Sequence, residues 1–237
     1  MKIKLFILCF IFLAKTVFPA DFEFAFGGSV NLGSIMNFTS AVGASEERPE
    51  GFQMGSGINA SAMVELGHHY RVSTEGAVRT ISVSVDLGYN FYSGERDTIF
   101  STYHNLLFGL VAKVHFNNFM ALGIGGGAYM PLTFSLNHPD PDLIILGESD
   151  IVSFNMDYIK AMYKNPFMPY VKLVWDNYIY FNEKWALKVD ATVLYNLGMV
   201  LDTESINRGT TVGYEKYSFS ALSIEVGASI AFGRPMK

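Results

Sequence analysis

The sequence predicts an all-β fold, an eight-stranded antiparallel transmembrane β-barrel with short turns at one end and long loops at the other. Three observations carry this. The 237-residue chain is 50% hydrophobic and 15% aromatic, with a mean hydropathy of +0.23 that is high for a soluble domain. Beyond the N-terminus no uncharged apolar run approaches the roughly 20 residues a membrane helix needs. The apolar residues are instead spread as alternation with small and polar ones, so that each segment has one greasy face and one wet face. A soluble sandwich or lipocalin-like barrel alternates as well, yet seldom holds an apolar face as unbroken as Ile81, Val83, Val85, Leu87, Tyr89 and Phe91.

In chain order, the first strand runs from Phe22 to about Ile35, with Phe22, Phe24, Phe26, Val30 and Leu32 outward and Glu23, Ala25, Gly27, Ser29, Asn31 and Gly33 inward. A polar loop, Asn37 to Met54, leads to strand two, Gly57 to about Gly67, which turns Asn59, Ser61, Met63 and Glu65 inward. His68 and His69 fall in the polar connection that follows, where adjacent histidines are ordinarily solvated. Strand three is the alternating run 81–91, with Ser82, Ser84, Asp86, Gly88 and Asn90 inward. After a loop holding Gly94 to Asp97, strand four (about Ser101 to Phe116) turns Asn105, Gly109, Lys113 and His115 inward. Asn117-Asn118 then makes a tight turn, because Asn tolerates the left-handed conformation such turns need.

Strand five, Phe119 to Phe134, has Met120, Leu122, Ile124, Met130 and Leu132 outward and Ala121, Gly123, Gly125, Gly127 and Tyr129 inward. The longest loop follows, Leu136 to Pro166, with a short helix expected within Ile151 to Tyr163. Strand six (Phe167 to Phe181) alternates Val171, Leu173 and Trp175 with Lys172, Val174 and Asp176, and a short turn at Asn182-Glu183-Lys184 leads into strand seven, Trp185 to Met199. A polar loop with Asp202, Glu204 and Arg208 precedes strand eight, Phe219 to Phe232.

That last strand bears the most specific signal. Glu225, Gly227, Ile230 and Phe232 resemble the C-terminal assembly signal of bacterial outer-membrane barrels, although Gly233 to Lys237 continue past the aromatic residue where the family signal usually ends. With the even strand count and the alternating loop lengths, the mature chain resembles the small eight-stranded outer-membrane barrels, the OmpW-like and OmpA-like group. The resemblance implies both chain ends in the periplasm, outer-membrane lipid around the wall, and handling by periplasmic chaperones and the barrel-assembly machinery. It also implies aromatic girdles: Phe22, Phe116, Phe119, Trp185 and Phe232 on the periplasmic side, and Tyr89, Phe91 and Phe134 on the other.

Residues 1–20 read as a secretory signal, with Lys2 and Lys4 before the apolar run Leu5 to Leu13 and a close at Pro19-Ala20, leaving 21–237 as the barrel domain. The single Cys9 leaves with it, so a disulfide, a thiolate metal site and a cysteine nucleophile are excluded from the mature chain. Net charge −5 with scattered basic residues gives no nucleic-acid footprint.

An eight-stranded barrel is just wide enough to be filled by its own side chains or to hold one small ligand. The inward charges Glu65, Asp86, Lys113, Lys172, Asp176, Lys188, Asp190 and Glu225 need partners, and pairing of the three lysines with Asp86, Asp190 and Glu225 at mid-barrel is expected. Above them Leu107, Tyr129, Met168, Tyr170, Leu194 and Phe219 form an apolar upper lumen, which resembles the outward-opening hydrophobic pocket of OmpW-like barrels. A narrow lumen or such a pocket implies passage of a small, hydrophobic solute. The rival is a plugged barrel acting through its loops on a host or surface ligand.

No cofactor, metal or catalytic set is expected. Gly123, Gly125 and Gly127 alternate on a strand with no helix after them, which is not a nucleotide loop. Ser101 and His104 are the nearest hydrolytic pair and lack an orienting acid, and Asp140 and Asp142 in the long loop offer at most weak calcium ligands.

Overall fold

The computed structural model describes residues 23–42, 51–74, 77–96, 99–137, 151–163, 165–200 and 216–233. Among these are nine strands: β1 (Glu23–Val42), β2 (Gly51–Thr74), β3 (Ala77–Arg96), β4 (Ile99–His115), β5 (Met120–Asn137), β6 (Ile151–Asn155), β7 (Met168–Tyr180), β8 (Trp185–Val200) and β9 (Lys216–Phe232). One helix, α1 (Met156–Met162), stands between β6 and β7. Eight of the strands close a ring, β1-β2-β3-β4-β5-β7-β8-β9 and back to β1, every pairing antiparallel. Closure leaves no sheet edge, the condition for a β-structure to sit in hydrocarbon. The sixth strand stands outside the ring and pairs with the end of β5, Thr133 to Asn137.

Alternation turns the wall into two chemical surfaces. Val30, Leu32, Ile58, Leu110, Ile124, Leu173, Val226 and other large apolar side chains are exposed on the outside, while Asn31, Ser84, Asp86, Lys113, Asp176 and Ser223 are buried inside. Aromatics rim the turn end: Phe116, Phe119, Phe181 and Trp185 are exposed, and Trp185 lies 4.7 Å from Phe232, ring to ring. The chain is thus a small eight-stranded barrel of the outer-membrane type. Among the described residues no helix is long and apolar enough to cross a membrane.

Four expectations change. The ladders run further than alternation alone indicates: β1 reaches Val42 and β2 starts at Gly51, so both ends of the loop expected from Asn37 to Met54 belong to strands. Likewise β3 pairs with β4 up to Arg96↔Ile99, where a longer loop was expected. The second strand continues to Thr74, so His68 and His69 lie in a strand, and His69 is buried. Polar side chains are compatible with a strand that has passed the membrane or faces the lumen, so polarity marks the wrong boundary there. The expected helix over 151–163 divides into β6 and α1.

Phe134 is the fourth. Asn105 pairs with Pro131 and His104 with Thr133, so Leu132 is the extra residue of a bulge. Proline has no N–H for the ladder, and the inserted residue reverses the alternation beyond it. Phe134 therefore points inward and is buried against Tyr103, rings 4.6 Å apart, instead of joining the outer girdle. The proposed signal 1–20, Phe22, Asp140 and Asp142 lie outside the described residues, as do the side chains of Glu23 and Phe219.

Candidate functional site: a layered lumen

The inward faces of the eight ring strands build three layers. At the turn end Ala121, Tyr178, Ala186 and Ala231 pack together, with Tyr180 against them. Beside them the His69 and His115 rings lie 5.3 Å apart, and His115 stacks on Tyr178 at 5.9 Å. The Ser82 hydroxyl and His115 Nε2 are hydrogen-bonded at 3.0 Å. Sequence reasoning missed this imidazole pair because His69 was placed in a turn. Extending the odd-numbered inward set Glu65, Gly67 by one more step would have found it.

The middle layer is ionic. Lys113 Nζ donates to both oxygens of Glu65 at 2.9 Å and to Asp176 Oδ2 at 2.6 Å. Lys188 Nζ reaches the same Glu65 at 2.7 Å, and Lys172 pairs with Asp86. Tyr178 donates its hydroxyl proton to Asp176 Oδ2 at 2.6 Å, tying the ionic layer to the floor. Of the expected carboxylate partners only Asp86 takes a lysine, Lys172; Glu65 and Asp176 hold the other two in place of Asp190 and Glu225. Glu225 accepts from Asn59 Nδ2 at 2.6 Å and from Ser223 Oγ at 2.9 Å, both neutral donors. Asp190 makes none of these ion pairs, and its Oδ1 is buried without a hydrogen bond. Alternation assigns a side chain to the lumen but says nothing about its height or reach, which decide the pairing.

Small residues shape this layer. A Cβ on Gly123 would stand 2.7 Å from Lys113 Cγ, and one on Gly125 would stand 2.7 Å from Val111 Cγ2 and 3.3 Å from Lys172 Cε. These glycines let lysine stems lie flat against the wall.

Above the charges is an aromatic layer. Leu107, Tyr129, Met168, Tyr170 and Leu194 fall in one buried cluster with Tyr92, Tyr103, Phe134 and Ala221. Ile159 and Tyr163, from α1 and the residue just past it, join the same cluster. The sequence did not foresee this roof, because seven residues of helix carry too little periodicity to reveal what they cover. Tyr129 and Tyr170 contact at 5.0 Å, and Gly109 and Gly127 give the Tyr170 hydroxyl its room.

Free space in the lumen is small. A cavity of about 30 Å³ lies among Tyr92, Tyr103, Tyr129, Met168 and Leu194, and one of about 20 Å³ among Glu65, Asp86, Lys113 and Lys188. Ser101 and His104 are engaged separately: Ser101 Oγ donates to the Gly94 carbonyl at 3.5 Å, and His104 Nδ1 bonds to the Tyr89 hydroxyl. Among the described residues no three His, Cys, Asp or Glu side chains gather as metal ligands.

Solved structures with a similar fold are outer-membrane proteins. The outer membrane protease OmpT from Escherichia coli is 8% identical, with a TM-score of 0.39 over 89% of this chain and 96% of that one. OprG from Pseudomonas aeruginosa is 8% identical, TM-score 0.36, covering 90% and 97%. The attachment invasion locus protein Ail of Yersinia pestis is 11% identical, TM-score 0.32, covering 86% and 97%. No family model matches the chain, and no curated protein matches its sequence.

Proposed function

We propose that this protein is an integral barrel of a bacterial outer membrane that receives a small apolar or aromatic molecule in its upper lumen, above an ionic layer that blocks free passage. The observation that carries this reading is the division of one lumen into a charged plug and an aromatic chamber roofed by α1. A belt of exposed Val, Leu and Ile around the whole wall would drive aggregation in water, and lipid is the surroundings that matches it. Export on residues 1–20 and assembly through the terminal strand with Glu225, Gly227, Ile230 and Phe232 agree with that location.

The chamber is filled by its own side chains. Its 30 Å³ of free space is far below the roughly 300 Å³ of a small-molecule site. Entry therefore requires Ile159 and Tyr163 to withdraw. The wall favours that movement locally: the β5–β7 ladder ends at Tyr129↔Met168, and β5 resumes pairing, with β6, only at Thr133. The helix is carried by the segment bridging that interruption. A second reading, a plugged barrel that acts through its surface loops in the manner of an adhesin, draws on the same dense filling.

Both readings are tested on the refolded mature chain. In planar bilayers it is expected to be electrically silent; in micelles it is expected to bind a naphthylamine fluorophore saturably, with binding lost in Leu194→Trp. Steady conductance steps would overturn the plug. Silence without fluorophore binding would remove the chamber reading and leave the loops.

A further inference from the structure

The ionic layer is unbalanced. Five carboxylates, Glu65, Asp86, Asp176, Asp190 and Glu225, face three ammonium groups, Lys113, Lys172 and Lys188. The three lysines pair with Glu65, Asp86 and Asp176, so among the described residues neither Asp190 nor Glu225 has a lysine within ion-pair distance. These two are diagonal neighbours on adjacent strands, since Asp190 pairs with Gly227 and Thr192 with Glu225.

A second observation concerns Asn31. It is 1% exposed, and neither its amide oxygen nor its amide nitrogen has a hydrogen-bond partner. It pairs with Gly227 from the opposite side to Asp190, so Gly227 lies between the two on the wall. A Cβ on Gly227 would stand 1.8 Å from Asn31 Oδ1 and 2.8 Å from Asp190 Oδ2. Both oxygens thus reach over one bare patch of backbone, no further apart than two calcium–oxygen bonds of about 2.3–2.6 Å. One step along, Asn59 Oδ1 is likewise buried without a partner, 2.6 Å from where a Cβ on Gly33 would stand, while the nitrogen of the same amide donates to Glu225 Oε1.

We propose that Asp190 and Asn31, with Glu225 and Asn59 beside them, form a binding site for a hard divalent cation, calcium, within the barrel wall. Two carboxylates and neutral amide oxygens are the donor set such an ion takes, in a flexible geometry that a strand wall can supply. The ion cancels the two excess charges and supplies the amide oxygens with the partner they lack. The site goes beyond the proposed solute chamber and does not depend on it.

The experiment is calcium titration of the refolded chain in a zwitterionic detergent, free of lipopolysaccharide, by calorimetry and by the midpoint of the heat-modifiable gel shift. One calcium per chain is expected, with a midpoint several degrees higher in calcium than in chelator. That response should persist in the loop variant Asp140→Ala/Asp142→Ala and vanish in Asp190→Asn. Asn31→Asp separates the cation from the competing arrangement, in which the Asn31 amide is turned to donate to Asp190. A cation site binds calcium several-fold tighter with the added carboxylate. An amide–carboxylate hydrogen bond predicts a midpoint lowered equally with and without calcium, which would overturn the proposal. Absence of calcium heat in the wild-type chain would overturn it without any variant.

Discussion

The ionic layer and the aromatic layer fill the same tube, a few strand residues apart, and are held by opposite physics. In the ionic layer each partner is specific: Lys113 bridges Glu65 and Asp176, and Glu65 is shared with Lys188. Removing one charge there strands another in a low-dielectric interior. In the aromatic layer Leu107, Leu194, Met168 and the stacked tyrosines are held by contact area, which tolerates exchange of shape so long as volume is kept. The lower layer suits a fixed barrier and the upper one a chamber whose contents can change.

The largest expected effect breaks the ionic side. Lys113→Ala should cost about 3–5 kcal/mol, read as a fall in the urea midpoint of the heat-modifiable form. A shift below about 1 kcal/mol would mean the layer is not held by pairing. Next comes the outside of the same wall. Leu173→Arg places a charge on the exposed apolar belt and should cost about 2–4 kcal/mol if that position lies near the bilayer midplane. Measured in lipid vesicles, a neutral result would move the belt away from residue 173.

A third change sharpens the boundary between the layers. Gly127→Ala adds a Cβ 2.1 Å from the Phe108 carbonyl oxygen and 2.8 Å from the Tyr170 hydroxyl. The backbone oxygen cannot yield cheaply, so overpacking of about 1–3 kcal/mol is expected, with a changed near-ultraviolet tyrosine signal. An unchanged signal would show Tyr170 free to move. The smallest effect belongs to the aromatic layer: Leu194→Met keeps volume and should cost under about 1.5 kcal/mol, leaving fluorophore binding within a few-fold of wild type. A loss comparable to that of Lys113→Ala would erase the distinction between the layers.

The sequence by itself determined the eight wall strands, their tight turns at 116–119 and 181–184, and which face of each strand looks inward, as far as the bulge at Leu132 in the fifth. A period of two is a local property, imposed by the pleat and read residue by residue, so Lys172, Asp176, Lys188 and Asp190 could be assigned to the lumen from their neighbours alone. The tertiary structure decided everything that depends on strand stagger. Whether Lys113 meets Glu225 or Glu65 depends on the height of β4 relative to β2 and β9, which the ladder registers fix and alternation leaves open. It decided the fate of Phe134, because one unpaired residue at Leu132 reverses a face. It also decided the roof, since α1 is too short to declare its buried side and acquires one only where Ile159 joins the buried aromatic cluster of the lumen.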